Sequence, residues 1–175
     1  MKILTKEQLA ALHAVITPDN LQSVDENTRK VLEKLVDDDD NINAVSLFID
    51  GAADLHTKTA GIGGVFLGEN DEELYRFSDY LDDATNNEAE YSALIRGLEV
   101  GLELNIINLE IYADSELVVK QINGEYKVKH ERMKPLHRKA IALLDQYSNW
   151  SLQHVFRDDN TIADKLSKEG MEQGR

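Results

Sequence analysis

The chain has 175 residues with 33 Asp or Glu against 19 Lys or Arg, a formal charge of −14, and no Cys. That length suits one ordinary domain with a core plus a small appendage. Absent Cys excludes disulfides and thiolate metal sites, no apolar run reaches the ~18 residues of a membrane span, and no signal-peptide core follows Lys2, so the expectation is a soluble cytoplasmic protein with no membrane partner.

Residues 1–42 read as two short helices. Thr5 with Gln8 is a capping-box pattern before Leu9, Leu12 and Ile16, and Ser23 with Glu26 is a second before Val31, Leu32 and Leu35. The acidic run at 37–40 opposes a helix dipole at its C-terminal end and marks a boundary. The division expected is therefore a helical appendage over 1–42 and a main domain over 43–175. Two short helices bury little alone, so the appendage is expected to dock a protein partner or to self-associate.

From residue 43 the pattern changes. Residues 44–50, 61–68 and 73–81 read as strands, 86–104 as a helix, 109–114 as a strand, 115–122 and 134–147 as helices, 150–156 as a strand and 160–172 as a last helix. The order βββαβααβα predicts an α/β fold, a mixed sheet with helices packed on it. Gly61, Gly63 and Gly64 lack the Lys-Ser/Thr of a phosphate loop and point to close backbone approach instead.

Two aspartates stand at the predicted C-terminal ends of strands. Asp50 follows "LFI", and Asp114 follows "LEIYA" and precedes a helix. Each has an ordinary reading, as a turn residue or a helix cap. If their strands are parallel neighbours, the carboxylates meet at the sheet edge where open α/β sheets build sites, and oxygen ligands without His or Cys suit Mg²⁺ or Mn²⁺.

In "TNNEAEYSAL", at about 100° per residue, Glu88 and Glu90 fall on opposite flanks of the apolar face. Glu90 shares its stripe with Leu94, Gly97 and Gly101, so it is expected to point at protein and Glu88 at water. A carboxylate turned inward needs a partner. Asp164 lies in the first turn of the last helix, which ordinary dipole complementation also explains.

Charge is uneven along the chain. Between Lys120 and Lys139 there are seven Lys or Arg and two acids, a local +5 that leaves −19 for the remainder. Such an island is either a solvated helix face or a contact for phosphates.

The segments "FIDGA…GIGGV", "TNNEAEYSAL", "IYADSELVVKQING" and "HVFRDDNTIADKLS" resemble, in order and spacing, the ribonuclease H family of type 1. The likeness is to its bacterial and archaeal branch without the basic handle. It implies a five-stranded mixed sheet flanked by helices, its first three strands antiparallel. It also implies endonucleolytic cleavage of the RNA strand of RNA/DNA hybrids with two Mg²⁺ ions, Mn²⁺ being an alternative. By this resemblance Asp50, Glu90, Asp114 and Asp164 are the catalytic and metal-holding acids, with Asp50 bridging the ions. Gly51, His56, Thr85, Asn86, Asn87 and Ser115 would touch nucleic acid, and Lys127, Lys129 and Lys134 would contact its phosphates.

The sequence departs from the family in three places. The loop that carries a histidine before the last helix is missing, since only "RDDN" links strand to helix. His154 reads as structural or partly buried, and Arg157 is the candidate to share the missing role. The first turn, "AADLHTK", places His56 where an Asn commonly stands. Residues 1–42 carry a net −4 and so do not suit a hybrid-binding domain. Two other functions stay open: a catalytically weak nucleic-acid-binding or scaffolding module, and a two-metal nuclease acting on double-stranded RNA.

Overall fold

The computed structural model describes residues 20, 24–30 and 45–174. The chain divides into two compact units, Met1–Asn43 and Ala44–Arg175. Within the first, a helical turn runs over 26–30, and its cap is Asp25, whose Oδ1 accepts from the Asn27 and Thr28 amides at 3.0 and 3.1 Å. The expected caps Thr5 and Ser23, the acidic run at 37–40, and almost all of the expected docking segment lie outside the described residues.

The second unit follows the predicted order. Its elements are β1 (Val45–Asp54), β2 (Thr59–Leu67), β3 (Glu73–Asp82), α1 (Asn86–Glu103), β4 (Asn108–Ala113), α2 (Glu116–Ile122), α3 (Met133–Leu144), β5 (Asn149–His154), a 3₁₀ turn (Arg157–Asp159) and α4 (Thr161–Glu172). The five strands lie in the order β3-β2-β1-β4-β5. The β1–β2 and β2–β3 pairs are antiparallel, and the β1–β4 and β4–β5 pairs are parallel.

One boundary differs in a way that matters for the site. β1 does not stop at Asp50: it pairs on with β2 through Asp54↔Thr59, so the turn is confined to residues 55–58. The small residues Gly51, Ala52 and Ala53 looked like turn chemistry, but tertiary pairing overrides that propensity.

The core forms where α1 crosses β1. Leu47 and Ile49 are fully buried against the helix, and at Gly97 an added Cβ would lie 2.7 Å from Leu47 Cδ2. Alternation sends Asp50 to the opposite face. There α4 settles directly on β2, and a Cβ at Gly63 would lie 2.3 Å from the Ser167 backbone nitrogen. This close approach is the role expected of the β2 glycines.

Gly63→Ala is therefore expected to push α4 off the sheet and to cost about 3 kcal/mol. Gly124, with φ of 79° and nothing within 4 Å of an added Cβ, is the contrast. Gly124→Ala should cost only about 1 kcal/mol of backbone strain. Urea unfolding of both variants checks the ranking, and equal losses would refute the packing argument.

Candidate active site

Parallel pairing of β1 with β4 ends at Ile49↔Ala113, so Asp50 and Asp114 are the next residues on adjacent strands. α1 brings the third acid. A Cβ at Gly51 would lie 2.3 Å from Ala89 C and Glu90 N, so only glycine lets the helix backbone lie on β1 at this level. Asp50, Glu90 and Asp114 each present a carboxylate oxygen within 4.8 Å of the other two.

Burial makes this grouping costly. Asp50 is 2% exposed, and Glu90 Oε2 is sealed from solvent with no hydrogen-bond partner. Burial, then repulsion from Asp50 and Asp114, pushes Glu90 up to about 9, against the pull of the Gly51 amide and Arg157. Burial likewise pushes Asp50 up to about 6, with Asp114 and Asp164 adding repulsion and a hydrogen bond from Ser167 opposing it. A pocket of oxygen ligands containing an orphaned carboxylate oxygen fits a hard divalent cation.

The fourth acid is close but differently engaged. Asp164 Oδ1 accepts from Arg157 Nε at 3.0 Å and Nη2 at 2.6 Å, and its Oδ2 accepts from Lys168 at 2.5 Å. Burial works against ionisation here, yet Lys168 and Arg157 hold the carboxyl below its usual range. Asp164 therefore stands apart from the three-acid cluster as an ion-paired neighbour.

A family described as reverse transcriptase-like matches residues 48–170. Ribonuclease HI of Halobacterium salinarum is 32% identical over 128 residues, 73% of this chain and 64% of that protein. The bifunctional protein Rv2228c of Mycobacterium tuberculosis is 35% identical over 124 residues, 70% of this chain and 34% of that protein. This chain thus spans under two thirds of either relative. The structure of the ribonuclease H1 called LC11, solved in complex with an RNA/DNA hybrid, superposes with a TM-score of 0.69 at 34% identity, covering 74% of this chain and 98% of that one.

The chain belongs to the ribonuclease H type 1 family.

Around the acidic cluster of this ribonuclease H family member, several supports were not legible in the sequence. Ser167 Oγ lies within hydrogen-bond reach of Asp50 Oδ2 and, at 2.9 Å, of the Asp164 carbonyl. The buried Asn160 donates from Nδ2 to the Ile49 carbonyl at 2.8 Å, tying the start of α4 to the residue before Asp50. The signal available for Ser167 was its spacing three residues after Asp164. For Asn160 it was only a position at a helix start.

Glu88 corrects the expectation of a solvated acid. Its side chain is 13% exposed, and its Oε1 pairs with Arg132 at 2.7 Å. Its Oε2 accepts from the Thr85 amide at 2.9 Å, completing a capping box with Thr85. His154 is corrected the other way. It is exposed at the end of β5, with Nε2 3.2 Å from the Asp114 carbonyl oxygen.

The residues expected at nucleic acid are spread along the rim. Asn86 Oδ1 accepts from the Ala53 amide at 2.8 Å, Asn87 is exposed, and Ser115 caps α2 without a side-chain bond. His56 is exposed in the 55–58 turn. Of the basic island, Lys120, Arg132, Lys134 and Lys139 are paired with Glu116, Glu88, Glu131 and Glu99. Among the described residues Lys127, Lys129 and Arg138 have no carboxylate within 4.0 Å. Lys127 and Lys129 line an open cleft of about 500 Å³ with Tyr126, His130 and Leu117.

Glu90 supplies a pH test. Its raised pKa means that the metal-free folded chain holds a proton that the unfolded chain has lost above about pH 4.5. The stability tied to that proton is complete below 4.5 and drains away as pH rises towards 9. Glu90→Gln mimics the protonated form. In EDTA it should match wild type near pH 4.5 and exceed its stability by on the order of 3 kcal/mol at pH 7. Excess Mg²⁺ should stabilise wild type more than the variant. Urea titrations at both pH values check this, and a variant less stable than wild type at pH 7 in EDTA would refute it.

Proposed function

We propose that the protein is an endonuclease that hydrolyses the RNA strand of RNA/DNA hybrids, using two divalent metal ions, Mg²⁺ foremost and Mn²⁺ in its place. The observation that carries this reading is the cluster of buried Asp50 with half-buried Glu90 and Asp114, and its unpartnered Glu90 oxygen. Those three residues would hold metal, and Asp164 would join them. Bound ions supply a water of lowered pKa and neutralise charge on the leaving 3′ oxygen.

The chain's own groups do the rest. Ser167 and Asn160 fix Asp50 from the α4 side, and Gly51 lets α1 deliver Glu90 from the other. Arg157, bonded to Asp164, brings a cation to the rim of an anionic centre, where a substrate phosphate needs one. Selection of RNA rests on shape and 2′-hydroxyl contacts across a minor groove. The unpaired Lys127 and Lys129 suit phosphates of the flanking duplex.

The test is cleavage of labelled RNA/DNA, RNA/RNA and DNA/DNA duplexes by the full chain in Mg²⁺ and in Mn²⁺, beside Asp50→Asn and Asp114→Asn. The expected result is metal-dependent cutting of RNA in the hybrid, reduced at least about 100-fold in both variants by loss of charge stabilisation. Preferential cutting of RNA/RNA would reassign the substrate. Absence of any cutting would leave a binding module, and cutting that survived both substitutions would overturn the site.

A further inference from the structure

Among the described residues, the two most exposed large apolar side chains are Phe156, at 76%, and Leu55, at 70%. Single exposed apolar residues are ordinary on a protein surface, so exposure alone says little. Position says more. Phe156 follows β5 where the parallel strands end, between two residues that each touch a carboxylate-bearing partner. His154 reaches the Asp114 carbonyl, and Arg157 reaches the Asp164 carboxylate.

The exposure belongs to a held backbone. The Val155 amide donates to the Ala113 carbonyl at 3.0 Å, carrying the strand pairing one residue past β5. The Phe156 carbonyl accepts from the Asp159 amide at 2.9 Å, closing the 3₁₀ turn. The chain is thus fixed on both sides of Phe156 while the ring projects outward. Its ring meets that of His154 edge-on, centroids 6.0 Å apart at 73°. At 76% exposure, most of the ring is left for something else.

The neighbouring groups narrow the occupant. Arg157 offers charge to a phosphate, and the cluster lies beyond it. The apolar surface next to a backbone phosphate in a duplex is the C–H face of the sugar, since paired bases stack on one another. We propose that Phe156 contacts substrate, its ring packing against a sugar of the bound duplex in the minor groove beside the phosphate presented to Asp50, Glu90 and Asp114. This rests on the nuclease reading. It gives the short link between β5 and α4 a substrate-gripping role that does not require the longer histidine-bearing loop.

The test uses the full chain with Phe156→Ala, Phe156→Leu and Phe156→Trp. Steady-state cleavage of an RNA/DNA hybrid is measured with Mg²⁺, and Kd for the same fluorescein-labelled hybrid is measured in EDTA. Phe156→Ala should raise both KM and Kd about 10-fold, as expected for one lost aromatic contact, with kcat within about twofold and the thermal midpoint unchanged. Phe156→Leu should recover part of the loss, and Phe156→Trp should keep wild-type affinity and change its fluorescence when hybrid is added. Wild-type KM and Kd in Phe156→Ala would overturn the proposal while leaving the nuclease intact. So would a fall in kcat at constant KM. If wild type binds hybrid but cuts nothing, the nuclease reading fails, and the Kd series still decides whether Phe156 grips the duplex.

Discussion

Carboxylates within 4.8 Å of one another repel by about 3 kcal/mol for each ionised pair at an effective dielectric constant near 20. Burial adds to that cost, because Asp50 has almost no contact with water and one Glu90 oxygen has none. A chain left to relax would turn these side chains outward. Here the backbone prevents it. Asp50 sits mid-strand, held by β2 on one side and by the end of the β4 ladder on the other. The centre is thus a place where repulsion is imposed by packing and where a cation would relieve it.

That packing depends on removed side chains more than on added ones. α1 and α4 approach β1 and β2 from opposite faces, and each does so over a glycine. Gly51 admits the backbone at Ala89 and Glu90, and Gly63 admits the backbone at Ser167. The first contact delivers an acid to Asp50 and the second delivers a hydroxyl to it. The two glycines are therefore as necessary to the site as the groups they admit, although neither carries chemistry.

Much of this was legible in the residues. Period-2 and period-3.6 patterning placed nine of the ten elements of the main domain to within a few residues, all but the 3₁₀ turn, because those periods follow directly from which face is buried. The stripe over Leu94, Gly97 and Gly101 turned Glu90 inward for the same reason. What failed depended on tertiary partners. Gly51 to Asp54 read as a turn because β2 was not there to pair with them. Glu88 read as solvated because Arg132 is 44 positions away in sequence. Asp164 matched the family motif, and Lys168 stands at the i,i+4 helical spacing that favours a pair, but no helical spacing places Arg157, which reaches the same carboxylate from the 3₁₀ turn. His154 alternated like a core residue, yet β5 is an edge strand and its end lies open.

The same dependence on partners bears on how so acidic a chain would bind a polyanion, as proposed above. A formal −14 repels nucleic acid at long range, within the reach that salt allows. The +5 island offsets less than its count suggests, because four of its seven cations are already tied to acids. Within the island, attraction is left to Lys127, Lys129 and Arg138, and under the proposed function cations held by the carboxylates would add to it. On the proposed function, affinity for a duplex would be coupled to metal: an empty cluster adds negative charge where a phosphate must approach, and a filled one would remove it. With so little free positive charge in the island, contacts that do not rely on charge would carry more of the grip, which is where an exposed aromatic ring beside the cluster has the most to contribute.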